Sequence, residues 1–270
     1  MSVAADPSGD IFLLDWEHGN VLHFTAEGVF VTSWSFPGPQ TPNAIAVSKD
    51  GVYVSDAAAD CIHRFTRDGK HEGTLAFRAE LNGLAVDPLG NLYVAGSKQG
   101  ETNGEGSALW KLNRLGNVLN RWDRRVGPLA MDRVGILYAV TEVYQDGPLS
   151  ILRIDPAGGR ISEWEIAKLP QMATTSVEGM AVDQRGHVYM TANLRAEREE
   201  EAPAGAGSVI RRVIVELDAK GNWTRDWATT DSGHRPVLHP MGVAVDTSGY
   251  LYVTDWAVSR VVKYDPRKAP

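Results

Sequence analysis

The chain has one cysteine in 270 residues, Cys61, so it can form no intramolecular disulfide and no cysteine metal cluster. No apolar run approaches the roughly 18–20 residues that cross a bilayer as a helix. No basic cluster stands out against a formal charge of −7, which argues against a nucleic-acid surface. The opening MSVAADPSGD lacks a basic n-region and an apolar h-region. It therefore does not read as a signal peptide, and an exported form would have lost its signal. Gly-rich phosphate loops, nucleophile elbows and paired-Cys motifs are missing. Helical periodicity is missing too. What is present is a chain 43% hydrophobic, with ample material for a large core.

One phrase occurs six times: VAADPSGDIFLLD after Ser2, AIAVSKDGVYVSD from Ala44, GLAVDPLGNLYVAG from Gly83, PLAMDRVGILYAVT from Pro128, GMAVDQRGHVYMTA from Gly179 and GVAVDTSGYLYVTD from Gly242. Apolar and small residues alternate, a turn intervenes, and alternation resumes; that is strand, tight turn, strand. Asp6, Asp87, Asp132, Asp183 and Asp246 open the turn, with Ser48 in the second copy, and a Gly closes each one. Asp or Ser at the start bonds the backbone two residues on, and Gly accepts the closing geometry.

A third strand follows in each unit (VLHF 21–24, IHRF 62–65, LWKL 109–112, ILRI 151–154, IVEL 214–217, VVKY 261–264). In the first five units a Gly-bearing turn and a fourth strand come next, with Trp34, Leu75, Trp122, Trp164 or Trp227 near its end. Such repeats predict an all-β, six-bladed β-propeller of four-stranded antiparallel blades. The blades span approximately 1–36, 43–77, 83–123, 128–166, 179–228 and 242–265, in one domain. The sixth unit ends at Tyr264 without a fourth strand. Either that blade has three strands, or a native stretch before Met1 completes it; an open edge strand is a liability.

The first strand of each blade lines the channel. The connection into it and the one from second to third strand therefore share a face, here called the top. Blades three, four and five carry long second-to-third connections there (SKQGETNGEGSA, EVYQDGPLS, NLRAEREEEAPAGAGSV), while the opposite turns stay minimal. One-sided elaboration marks a scaffold that carries a site on its loops. Asp15, Asp56 and Asp255 end the second strand in blades one, two and six, whereas Gly96, Thr141 and Ala192 replace them under the long loops. The Asp is expected to cap the short-loop backbone. Trp16 and Trp256 follow two of these Asp residues in adjacent blades, where they either pack the seam or form an aromatic shelf. Together with His18, His234 and His239 of the top loops, they are the candidate ligand-binding residues. HRPVLHP at 234–240 has two His for a zinc trial but no visible third ligand. His23, His63, His187 and His71 are expected at the surface.

The pattern G-[VLM]-A-V-D-x-x-G-x-[LV]-Y-V-x-D resembles the NHL repeat over essentially the whole chain. It is similar more widely to six-bladed propellers of the senescence-marker-protein/gluconolactonase, strictosidine-synthase and amidating-lyase kinds. The resemblance implies the fold and, more loosely, an extracytoplasmic setting. In gluconolactonase-like relatives the residue just before a first strand supplies Glu, Asn or Asp to a divalent cation on the axis. Those residues here are Met1, Asn43, Asn82, Gly127, Glu178 and Met241. The resemblance thus implies Glu178, Asn43 and Asn82 as ligands for Ca²⁺ or a similar ion, which suits oxygen donors. Asn82 stands where the family commonly has a carboxylate, and an amide cannot take a proton. One charge among three ligands also implies weak affinity. Two functions remain open. The first is a recognition scaffold whose top loops in blades three to five bind a protein, peptide, glycan or small molecule. The second is a metal-dependent hydrolase or lactonase at the channel mouth.

Overall fold

The Asp-x-x-Gly turns close through the carboxylate. In the fifth blade, Asp183 Oδ1 accepts the N–H groups of Arg185 (2.8 Å) and His187 (2.9 Å). The Gly186 N–H returns to the Asp183 carbonyl at 3.0 Å. Gly186 sits at φ +81°, where a side chain would be strained. Asp6, Asp87, Asp132 and Asp246 hold the amides two and four residues on in the same way. Each carboxylate thus takes two backbone donors rather than one. Ser48, with a hydroxyl, takes only the Asp50 amide at 3.1 Å.

These hairpins build the ring. The computed structural model describes residues 1–37, 41–77, 79–97, 106–141, 149–166, 168–169, 172–196, 210–228 and 237–268. Five blades have four antiparallel strands in sequence order, and the sixth has three: Pro240–Val245, Leu251–Asp255 and Arg260–Tyr264. Blade five also carries a two-residue strand, Lys168–Leu169, on its inner edge. The innermost strands are Ser2–Ala5, Pro42–Ser48, Glu80–Val86, Val126–Met131, Met172–Val182 and Pro240–Val245. Each contacts the next in order, and Pro240–Val245 returns to Ser2–Ala5, closing the circle.

Near the axis the strands crowd. A Cβ at Gly83 would lie 2.7 Å from the Gly127 carbonyl oxygen, and one at Gly179 would lie 2.6 Å from that of Met241. This crowding is why three of the six repeats open on Gly. Farther out the gaps widen and are filled by larger side chains. Phe12, Tyr53, Tyr93, Tyr138, Tyr189 and Tyr252 occupy one repeat position on the second strands, and all are buried. The core divides into six apolar clusters, one per inter-blade seam.

Two of the histidines depart from the expected surface placement. His63 is 2% exposed and His23 is 7% exposed. Both lie on third strands whose faces are covered by neighbouring elements. His63 stacks on Phe36 and lies 3.3 Å from the buried Asp56 carboxylate. His23 stacks on Phe12 and lies 3.0 Å from Asp10.

Two outcomes are expected. Asp183→Ala removes two backbone acceptor contacts and should lower unfolding stability by about 1–3 kcal/mol, read from the denaturant midpoint. An unchanged midpoint would contradict the structural role. Burial pushes the His63 imidazole below its usual pKa, against the pull of Asp56. Protonation then favours the unfolded chain, so this stability is present above about pH 6.5 and is lost as pH falls below it. Melting temperature should decline through that window, and less steeply in His63→Gln.

Candidate functional site

The channel mouth is shaped by β-bulges. In blade five, Val177 pairs with Ala192 and Gly179 with Thr191, leaving Glu178 as the extra residue. Asn82 is likewise extra between Leu81 and Gly83, and Asn43 falls in the shift between Pro42 and Ile45. Gly127 and Met241 occupy the corresponding shifts in blades four and six. These residues therefore lie inside the inner strands, not ahead of them as the repeat implied. A bulge bends the strand and re-aims the extra side chain, which periodicity cannot anticipate.

Asn43, Asn82 and Glu178 are all exposed at the mouth. Asn43 Nδ2 donates to the Leu81 carbonyl at 3.0 Å, tying blade two to blade three. Glu178 Oε1 accepts from Ser176 Oγ (2.8 Å) and Asn193 Nδ2 (3.1 Å), and Asn193 also reaches Ser176 Oγ. Asn43 and Glu178 sit three blades apart in the ring of six, hence on opposite sides. Ser176 and Asn193 were not singled out from the sequence. Asn193 follows Ala192, the position that lost the second Asp, and that loss was the signal to follow.

The same rim carries the variable connections. Glu80 pairs with Ser97, Met172 with Ala196 and Val126 with Thr141, so the mouth-side ends of the inner strands adjoin the second strands where the long connections leave. The connections themselves (98–105, 142–148 and 197–209) lie outside the described residues, as does His234. The second Asp caps its own short loop in blades one and two, as expected, but not in blade six. Asp56 accepts from Thr41, Ala58 and Ala59 amides, and Asp255 from those of Leu238 and His239. In blade four, Thr141 Oγ1 takes the Ser150 amide instead, at 3.1 Å.

Three of the candidate ligand-binding residues gather at the blade six–blade one seam. Trp16, His18 and Trp256 line a groove of about 490 Å³, together with Leu22, Phe24, Tyr252 and Lys263, which sequence reasoning missed. Trp16 is 37% exposed and Trp256 57% exposed, so they edge the seam rather than fill it. His239 packs edge-on against Trp256, with ring centroids 5.2 Å apart. Burial and then Arg212 push the His239 imidazole down, while Glu178 and Asp255 pull it up. His18 Nδ1 meets Asp15 Oδ2 at 2.8 Å, and that contact raises the His18 pKa. Burial acts to raise the Asp15 pKa, but the bonds from His18 and Glu17 hold it below the usual carboxylate range.

No family model matches the chain, and no curated protein matches it in sequence. The NHL resemblance therefore rests on the repeat alone. Solved structures match the fold. A chain of Kuenenia stuttgartiensis hydrazine synthase superposes with TM-score 0.70 at 17% identity, over 99% of this chain and 76% of that one. A catalytically inactive virginiamycin B lyase from Staphylococcus aureus, solved with quinupristin, gives 0.58 at 15% identity, over 99% and 81%. A chain of the nidogen/laminin complex gives 0.63 at 15%, over 90% and 83%. At such identities the likeness is one of fold: the chain is a six-bladed β-propeller whose structural neighbours include enzymes and a protein-binding assembly.

Proposed function

We propose that this propeller is a recognition module that binds a protein, peptide or glycan on its top face, through the long connections of blades three to five. The observation that carries this reading is one-sidedness. Every strand end from which those connections leave adjoins the rim of Asn43, Asn82 and Glu178. The opposite rim is closed by turns whose donors and acceptors are spent on their own backbone. The neighbour solved as part of the nidogen/laminin complex supports protein binding as a use of the fold.

The test is loop exchange. Residues 98–107 and 197–209 are replaced by the four-residue turn of blade two, and parent and variant are compared on peptide and glycan arrays. Binding by the parent that is lost in a variant of equal melting temperature supports the reading. Binding that survives the exchange overturns it.

The bulge positions favour a second reading, a weak divalent-cation site at the mouth with Glu178, Asn43 and Asn82 as oxygen donors. The donor set fits such an ion poorly, since Glu178 is the single charge and its Oε1 already holds two hydrogen bonds. Melting temperature should rise with Ca²⁺ through mass action, and Glu178→Gln should abolish the rise while leaving the metal-free value unchanged. A melting temperature indifferent to Ca²⁺ and to chelator would remove the site.

A further inference from the structure

The three most exposed large apolar side chains among the described residues are Leu115 (78%), Leu89 (72%) and Val134 (67%). All three stand at the third position of tight turns on the rim opposite the long connections. Leu89 and Leu115 belong to blade three and Val134 to blade four. These turns touch one another. Arg114 Nε donates to the Leu89 carbonyl at 2.8 Å and joins the two turns of blade three. A Cβ on Gly135 would lie 3.5 Å from Pro88 and 3.3 Å from Pro156, so the Val134 turn sits between the first turn of blade three and the second turn of its own blade. Pro88, Pro156 and Ala157 are exposed as well. The tips form one apolar patch across two neighbouring blades.

Two further observations say what such a patch can meet. The first is that its backbone is already satisfied. The Leu89, Leu115 and Val134 amides donate to the side chains of Asp87, Asn113 and Asp132 at 3.0, 2.9 and 3.0 Å. The Gly90, Gly116 and Gly135 amides return to the carbonyls of the same three residues. Pro88 and Pro156 have no N–H to lose. The apolar tips can therefore leave water without stranding a backbone donor. The second observation is the sign of charge. At the two central positions of the turns on this rim, blades three to five carry Arg114, Arg133, Arg185 and Lys220 and no acid, whereas blades one and two carry Glu27, Asp50 and Asp68. Arg114 and Arg185 are paired, with Asp50 (2.6 Å) and Asp183 (2.9 Å). Arg133 and Lys220 are exposed and make no such pair among the described residues. A chain of net charge −7 thus surrounds its most exposed apolar tips with cations.

We propose that the turn rim of blades three and four docks on an anionic lipid bilayer, inserting Leu89, Leu115 and Val134 below the headgroups while Arg133 and its basic neighbours meet the phosphates. Apolar tips ringed by Arg and Lys are what an interfacial lipid contact requires, and anionic lipid supplies the complementary charge. A protein partner fits less well. Three side chains on convex tips offer on the order of a few hundred Å², against roughly 800 Å² per partner in a stable protein interface. A second copy meeting the same patch would also set Arg114 and Arg133 against like charges. Docked in this way, the propeller holds its long connections on the side away from the bilayer.

The test is flotation of the full chain with vesicles of equal parts phosphatidylcholine and phosphatidylserine, and with vesicles of phosphatidylcholine alone. The chain should bind the first and not the second, and added salt should weaken the binding by screening. The double variant Leu89→Ser, Leu115→Ser should bind about tenfold more weakly or worse through lost apolar insertion. Its melting temperature should not change, because both side chains are exposed in the free protein. Arg133→Gln removes charge alone and should weaken binding about fivefold. The variant with exchanged top connections should float as the parent does, so failure of the recognition reading leaves this result intact. Four outcomes would each overturn the proposal: no binding to the acidic vesicles, equal binding to both kinds, full affinity in the leucine variant, or binding lost on exchange of the top connections. A dimer in vesicle-free solution that the leucine variant dissociates would assign the patch to a second copy and overturn it as well.

Discussion

A four-stranded sheet with two apolar faces cannot stand alone in water, and everything else in this molecule follows from covering both faces at once. The ring is the solution. Each blade lends one face to the next, and closure between Pro240–Val245 and Ser2–Ala5 lends the last face back to the first. The wedge-shaped gaps then dictate side-chain size. Glycine stands where strands meet near the axis, tyrosine at mid-radius, and tryptophan over a turn glycine at the rim. The weakest-covered gap is the seam of blades six and one. Among the described residues its cluster holds only five buried ones, Val3, Ile11, Leu13, Ala244 and Tyr252.

The two rims divide the work. On one rim, carboxylates such as Asp87 and Asp246 consume the backbone donors of their own turns, leaving little free for a ligand. On the other, Asp56 caps its short connection, Asp255 holds the connection that enters its own blade, and Thr141 takes over in blade four. Loop length can change there without disturbing the sheet below.

The blades were legible because their residues act locally. An Asp, a Gly three residues on and alternating apolar positions specify a hairpin whatever surrounds it, and six copies specify a propeller. The second Asp could be read as a loop cap in blades one and two, where Glu17, His18, Ala58 and Ala59 are near in sequence, but not in blade six, where Asp255 holds Leu238 and His239. The candidate site was legible only in part. Trp16, His18 and Trp256 were singled out as residue types, yet their shared groove comes from blades at opposite ends of the chain.

What the sequence by itself determined is thus the repeat, the turns, the blade number and the face that varies, because each depends on contacts within about forty residues, the length of one propeller repeat. The tertiary structure alone decided the rest. It buried His23 and His63, placed Glu178 on a bulge held by Ser176 and Asn193, and left Gly28 without the large side chain that Gly69, Gly116, Gly158 and Gly221 meet. The physical reason is common to all three. Side-chain environment in a closed ring is set by what packs across strands and blades, and the blade that closes the ring on Ser2–Ala5 begins only at Pro240, at the far end of the chain.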